Sequence, residues 1–340
     1  MILTYKVKHG QDFTEELAKA RKVAEYAVSN KRNFKVLTSK YVSQYGLKSV
    51  ISNQILRKYG RNKNIKAVKN VNLIIPNKGI KVYKKNNTLW IQSLKLEINY
   101  IFPNNFEKIN QIEINNKYAF IILTIPEIQE YSPESYVGVD LNATGHVAVA
   151  SNPENGKVLK LGKKAQHTHK KYNNIRKTLQ KKGKFKKLKQ IKNKESRVIK
   201  DLNHKISRAV VEFAHKTKSG LRLEDLKGIR KTKSNRSFKY SLHSWSFYQL
   251  KKMIEYKAKL LGVPVSYVDP RNTSKTCSRC GLIGKRNKKD FKCPFCGHVD
   301  NADSNAAFNI AIDINGIYQS DTDRDVSEGS TDTPKVDFNY

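Results

Sequence analysis

The chain reads as an α/β protein built around a mixed sheet, with a small β domain ahead of it and a metal-stapled ribbon near its end. Three observations carry that reading. Beyond residue 133, short apolar strands alternate with amphipathic helices. Two CxxC pairs, Cys277-Ser-Arg-Cys280-Gly and Cys293-Pro-Phe-Cys296-Gly, lie twelve residues apart and hold all four cysteines of the chain. Each pair closes on a Gly that lets the backbone turn its amides toward the thiolates, which makes the two knuckles of a tetrahedral four-cysteine zinc site. Finally, 66 Lys and Arg against 29 acids give a net charge of +37, more than solubility requires, and point to a polyanionic partner.

Met1 to Lys8 alternates like a strand, and Glu15 to Arg32 reads as a helix with Leu17, Ala20, Val23 and Ala24 on one stripe. A second helical stretch spans Ser39 to Tyr59. From Ala67 to Ile128 the pattern changes to short β runs, VNLII, GIKVY, TLWIQ, LEINYIF and YAFIILTI, separated by Asn-, Lys- and Gly-rich turns. Residues 11–63 are therefore expected to be a helical insertion in a small β-barrel or sheet formed by 1–10 and 64–132. Pro126 to Pro133 is the expected linker.

Tyr136-Val-Gly-Val-Asp140-Leu-Asn142 and Gly145-His-Val-Ala-Val-Ala150 follow as a β-hairpin at the edge of a buried sheet. Lys163 to Lys200 is dominated by Lys and Arg around a Lys181-Lys-Gly-Lys184 break, with Glu195 its only acid. Leu188, Ile191, Val198, Leu202, Ile206, Val210 and Phe213 recur at helical spacing, so a helical hairpin with a core stripe and a basic face is expected. That face, with Lys181, Lys182, Lys184, Lys186 and Lys187, is a candidate phosphate contact, because almost no acid compensates it. Leu221 to Leu226 reads as a strand, Trp245 to Leu261 as an amphipathic helix, Val263 to Val268 as a strand, and a last helix starts at Asp303.

No apolar run of about 18 residues, amphipathic anchor or secretory h-region is evident, so a soluble intracellular protein is expected, without a membrane partner. That compartment also argues against two short disulfides as the use of the cysteines. The stretch Tyr318 to Tyr340 carries six acids against Arg324 and Lys335 with few large apolar residues, and is expected to be a disordered acidic tail.

Three acids stand where a metal-dependent phosphodiesterase would place them. Asp140 ends an apolar strand, Glu224 ends the LRLE run and Asp303 opens the helix after the ribbon. Carboxylates at strand ends and a helix start can converge at one sheet edge and there hold two Mg²⁺ ions about 3.5 to 4 Å apart. Each acid alone also has a bland role: a turn acid, a surface charge, and for Asp303 a helix N-cap with Asn305 behind it.

The Asp140-Leu-Asn142 strand, Asn203-His204-Lys205, Leu223-Glu224-Asp-Leu-Lys-Gly228, Thr273-Ser-Lys-Thr-Cys277 and Asp303-Ser-Asn305-Ala-Ala resemble, in this order, the TnpB family of RNA-guided nucleases of insertion sequences, relatives of the compact type V CRISPR effectors. The resemblance runs from about Tyr136 to Ile314; ahead of it, only the layout and Tyr45 to Gln54 are similar. It implies an RNase H-like (RuvC) nuclease domain over 133–272 and 301–317, interrupted by the ribbon at 273–300 and preceded by a wedge-like β-barrel. It further implies Asp140, Glu224 and Asp303 as catalytic acids and a guide RNA made from the element's own end. Cleavage would fall on double-stranded DNA beside a short motif read by the N-terminal half, in the cytoplasm of a prokaryote, on the nucleoid. In that half Tyr41, Gln44, Gln54, Arg57 and Lys58 are candidate base and phosphate contacts.

Two positions depart from the family pattern: Asn301 stands where an acid is frequent, and Lys289 where an Arg is common. Neither is expected to touch the three acids, although Lys cannot form the planar fork of Arg. His204 is expected to pack, and the Trp245, Phe247, Tyr248 cluster to anchor a helix rather than to stack bases. Two other functions fit the same features. One is an RNA-guided DNA-binding repressor without cleavage, and the other a guide-free transposase or nuclease that acts without RNA.

Overall fold

Strand β1 (Ile2–Lys8) alternates as expected, and its partner lies at the far end of the N-terminal segment. The computed structural model describes residues 1–31, 37–226 and 246–314 and divides into two units, Met1–Glu127 and Ile128–Tyr340. The acidic stretch 318–340 and Trp245 lie outside the described residues. Among those described, no helix is long and apolar enough to cross a membrane.

In the first unit, helix α1 (Thr14–Ser29) buries Ala20, Val23, Ala24 and Ala27, and helix α2 (Ser49–Arg61) buries Ile51, Ile55 and Leu56. The two helices pack together. The single helix expected over Ser39 to Tyr59 is in fact two pieces: a 3₁₀ segment Ser39–Tyr45 ends at Gly46, whose φ of 66° stops the spiral before α2 begins.

Strands β2 (Leu73–Pro76), β3 (Ile80–Tyr83), β4 (Thr88–Ile91), β5 (Leu96–Asn99), β6 (Lys108–Ile114) and β7 (Tyr118–Thr124) follow. They form two sheets, ordered β1-β7-β6-β2 and β3-β4-β5. The antiparallel register Ile2↔Thr124 to Lys8↔Tyr118 ties β1 to β7, and so joins segments that the helices separate. Strand β6 escapes a pattern reading because Asn110 and Gln111 interrupt its alternation, where a register shift falls between Ile109 and Gln111.

The second unit is organised by a five-stranded sheet, ordered β10-β9-β8-β11-β12. Its strands are β8 (Tyr136–Leu141), β9 (Ala148–Ser151), β10 (Val158–Leu161), β11 (Gly220–Glu224) and β12 (Val265–Val268). The first three are antiparallel; β11 then runs parallel to β8, and β12 parallel to β11. The hairpin expected at the sheet edge is therefore interior. Strand β8 is paired on both sides and reads as a near-continuous apolar run for that reason, while the short β10, not foreseen, takes the edge.

Between β10 and β11 come helices α3 (Lys163–Lys181), α4 (Phe185–Ile191) and α5 (Lys194–Lys216), three segments where a hairpin of two was expected. The break at Gly183 has a φ of 61°. The core stripe also differs. Ile206 and Val210 are buried, but Val198 is exposed, and α5 buries Ile199, Asn203, Ser207, Val211 and Ala214 instead. Helix α3 buries only Ala165 and α4 nothing, so the apolar residues of this arm have little core to join. Helix α6 (Phe247–Leu260) packs on α5.

The closing helix α7 (Ala302–Ile312) lies directly on β8. Its faces are small, with Ala302, Ala306, Ala307 and Ala311 all buried. Gly138 on β8 completes the fit: a Cβ there would stand 2.0 Å from the Ala307 carbonyl oxygen and 2.3 Å from the Ala311 nitrogen. No side chain can enter that contact without lifting the helix that carries Asp303. The ribbon ahead of it is a three-stranded antiparallel sheet of β13 (Lys285–Asn287), β14 (Asp290–Lys292) and β15 (Val299–Asn301). Phe291 is its one large fully buried side chain, packed with Cys277, Cys293 and Ala302. A core this small needs a staple.

Candidate active site and metal centre

Parallel pairing brings the first two acids to one edge. Because β8 and β11 run the same way, with Leu223 opposite Val139, Asp140 and Glu224 both lie at the C-terminal ends of neighbouring strands. Asp303 enters from the first turn of α7, which packs on the same strand. All three are buried, at 8%, 8% and 3% exposure. The three positions picked out in the sequence thus come together, and Asp140 and Glu224 line one open cleft with Asn142, Thr144 and Thr273.

The electrostatics record that convergence. Burial, and then the negative charges of Glu224 and Asp303, push the Asp140 carboxyl up to about 8, against the pull of the Asn142 amide and of Lys289. Burial also raises Glu224, opposed by the Thr273 hydroxyl and the Arg286 charge. Asn142 Nδ2 donates to Asp140 Oδ2 at 2.7 Å, and Thr273 Oγ1 donates to Glu224 Oε1 at 2.6 Å. Thr273 is itself fixed, because Asn309 Nδ2 donates to its carbonyl at 2.7 Å. Three buried hard-oxygen donors that repel one another are a donor set suited to Mg²⁺.

Both departures from the family pattern touch an acid, contrary to expectation. Asn301 is the N-cap of α7, its side chain accepting from the Asp303 amide at 3.1 Å. Asp303 is thereby relieved of the capping role that its place at the helix start suggests. Lys289 Nζ donates to Asp303 Oδ1 at 2.8 Å and Oδ2 at 2.6 Å, and Arg286 Nη2 stands 3.7 Å from Oδ1. Neither cation was foreseen as a partner of Asp303; both lie on the β13–β14 hairpin, which no sequence pattern ties to the ends of β8 and β11.

A pH dependence follows for protein that retains zinc but lacks Mg²⁺. An unfolded Asp140 ionises near its ordinary value of 3.8 and the folded one near 8. The folded state therefore holds an extra proton between those values, and its stability is greatest below the lower and declines as pH rises to the upper. Thermal midpoints should fall from pH 5 to 8 in the wild type and fall less in Asp140→Asn; equal slopes would contradict the assignment.

The four cysteine sulfurs lie within 4.8 Å of one another and none is in a disulfide. The close pairs cross between knuckles, Cys277 to Cys296 at 3.7 Å and Cys280 to Cys293 at 3.5 Å. A tetrahedral zinc with Zn–S bonds of about 2.3 Å has sulfurs roughly 3.8 Å apart, so the set fits the ion. Burial pushes Cys277 up to about 12. Burial opposes ionisation of Cys293 too, but the amides of Cys296 and Phe295 outweigh it and bring that thiol down to about 7. The Asn305 and Asn309 amides donate to the Thr276 carbonyl at 2.7 Å, and so fasten the lead of the ribbon to α7. Their i, i+4 spacing after the last cysteine was the available sequence signal.

The candidate nucleic-acid residues fall in both units. Lys181, Lys182, Lys184, Lys186 and Lys187 are all exposed. Glu195, the lone acid between Lys163 and Lys200, is taken by His169 at 2.6 Å and by Arg176. Tyr41, Gln44 and Arg57 are exposed and Gln54 is half-buried, whereas Lys58 is paired with Glu113 at 2.7 Å. Phe247 packs on the core, Tyr248 is exposed, and His204 is held against α6 by Lys257, which donates to its carbonyl.

Residues 247–310 match the family described as Cas12f1-like, TNB domain. A TnpB-like protein of Methanocaldococcus jannaschii is 31% identical over 204 residues, which cover 55% of this chain and 73% of that protein. The CRISPR-associated endodeoxyribonuclease Cas12f1 of Sulfoacidibacillus thermotolerans is 39% identical over 132 residues, 38% of this chain. That match spans only 30% of the relative's length. In fold, the chain is similar to Cas12f1 in a cryo-EM complex with sgRNA and target DNA, with a TM-score of 0.57 and 18% identity over 88% of this chain and 82% of that one.

Proposed function

We propose, since this chain belongs to the TnpB-like family, that it is an RNA-guided DNA endonuclease encoded by a transposable element. Its partners are a guide RNA from the element's end and a target DNA duplex. The observation that carries the reading is the meeting of three buried carboxylates, Asp140, Glu224 and Asp303, at one edge of the sheet, where Asp140 is held up to about 8 by burial and by the other two. A protein that only binds has no use for such a cluster, whose repulsion costs stability. That weighs against the repressor, and a nuclease that dispenses with RNA would be told apart by cutting DNA in preparations free of RNA.

In this reading residues 133–272 and 301–317 are an RNase H-like (RuvC) nuclease domain, 273–300 a structural zinc ribbon, and 1–10 with 64–132 a wedge-like barrel around a helical insertion. Asp140, Glu224 and Asp303 would hold two Mg²⁺ ions, which when bound supply an activated water and neutralise charge on the phosphate and its leaving 3′ oxygen. Asn142 and Thr273 orient the first two carboxylates, and the Asn301 cap sets the third. The zinc does no chemistry; it holds the ribbon beside the helix start.

The exposed lysines of the α3–α4 arm are the proposed RNA contact. Changing Lys181, Lys182, Lys184 and Lys186 to Gln should weaken binding of the co-purifying RNA and flatten its dependence on salt by roughly one unit of log–log slope for each phosphate no longer engaged. Zinc content and thermal midpoint should stay as they are. Unaltered affinity and slope would place the RNA elsewhere.

A further inference from the structure

We propose that Lys289 is a built-in placeholder cation which a divalent ion must displace from Asp303, so that the β13–β14 hairpin sets the metal affinity of the acidic cluster. The inference rests on the reading of Asp140, Glu224 and Asp303 as a metal site. Its ground is geometric. The ammonium bonds both oxygens of Asp303, at 2.8 and 2.6 Å, and that carboxylate is only 3% exposed. The acid is buried while the lysine side chain is 37% exposed, so solvent screens the pair from one side only. The contact takes up the lone pairs that Mg²⁺ would need at about 2.0–2.1 Å.

The side chain also has a place to withdraw to. Asn142 Oδ1 and the Thr144 carbonyl each lie 3.5 Å from the same nitrogen. The backbone of Lys289 stays put, because its carbonyl accepts from the Ala302 amide at 2.8 Å and Lys288 holds the turn with a φ of 53°. Only the flexible four-carbon stem has to move. Lysine suits such a role because its charge is a compact point that can stand in for an ion and step aside, whereas a planar guanidinium would grip the carboxylate with two parallel bonds. Arg286, at 3.7 Å, remains as a more distant counter-charge.

The test is calorimetric titration of Ca²⁺ into the full chain with zinc retained, at fixed pH and salt, for wild type, Lys289→Met, Lys289→Arg and Asp303→Asn. Lys289→Met should bind Ca²⁺ at least tenfold tighter than wild type, and Lys289→Arg no tighter. Without Ca²⁺ the thermal midpoint of Lys289→Met should lie below that of wild type, since the acids lose their counter-charge, and Ca²⁺ should raise it by more. Equal or weaker Ca²⁺ affinity in Lys289→Met, with wild type binding and Asp303→Asn not, would overturn the placeholder role alone. Ca²⁺ binding that is absent in wild type and in Lys289→Met, or unchanged in Asp303→Asn, would overturn the metal site itself and this inference with it.

Discussion

Asp140→Ala, Glu224→Ala and Asp303→Ala are each expected to slow DNA cleavage by at least about a hundredfold while RNA and target binding remain near wild type. The reason is the kind of interaction removed. Each carboxylate would serve charge that develops in the transition state, and loss of one preorganised group of that kind costs on the order of 10²–10³ in rate. For Asp140 the substitution carries an opposite sign in stability. Without Mg²⁺ the three acids repel, and removal of Asp140, whose carboxyl burial and its neighbours push up to about 8, should raise the thermal midpoint at pH 8. A variant that is dead yet more stable is what a metal site predicts, and a structural acid does not behave so. Cleavage near the wild-type rate by any of the three would remove that residue from the proposed set.

Loss of zinc is expected to have a comparable effect by a different route. Freshly purified protein should carry one zinc ion per chain, and Cys293→Ser or Cys296→Ser should lose it, because such a site leaves no four-thiolate cage to fold around. The ribbon's own core is Phe291 and little else, so its strands should come apart. Activity should then collapse for a positional reason. Asp303 follows Cys296 by seven residues, and Asn305 and Asn309 of the same helix are bonded to the lead of the ribbon. The five-stranded sheet has its own core on β8, β11 and α5, so most secondary structure should persist. Active protein free of zinc by elemental analysis would contradict this account.

The features legible in the sequence are those whose physics is local. Spacing alone marks the cysteine knuckles, and Asp140 and Glu224 are visible because a fully buried strand is a run of apolar residues whose first acid marks its end. What escaped depends on partners that lie far along the chain. Strand β6 alternates imperfectly and exists because β7 and β2 pair with it on either side. Whether β8 sat at an edge or inside the sheet was decided by β11, some eighty residues later. Gly138 looks like an ordinary strand glycine until α7 lands on it. Lys289 stands out in the sequence only as a departure from the family pattern that is not expected to touch the acids, and the fold brings it onto Asp303. Val198, read as core, is exposed because the stripe this helix buries runs through Ile199, one residue and about 100° round the helix.

The central claim is that base pairing with a bound RNA directs this protein's carboxylates to DNA. It is tested most directly by purifying the full chain with its RNA, sequencing that RNA, and replacing only its guide segment. The reprogrammed complex is then offered two plasmids in Mg²⁺, one matching the old guide and one the new. The account predicts that cutting moves entirely to the new match, vanishes when the RNA is digested beforehand, and is lost in Asp140→Ala. Cutting that continues without RNA, or that ignores the exchanged guide, would contradict it.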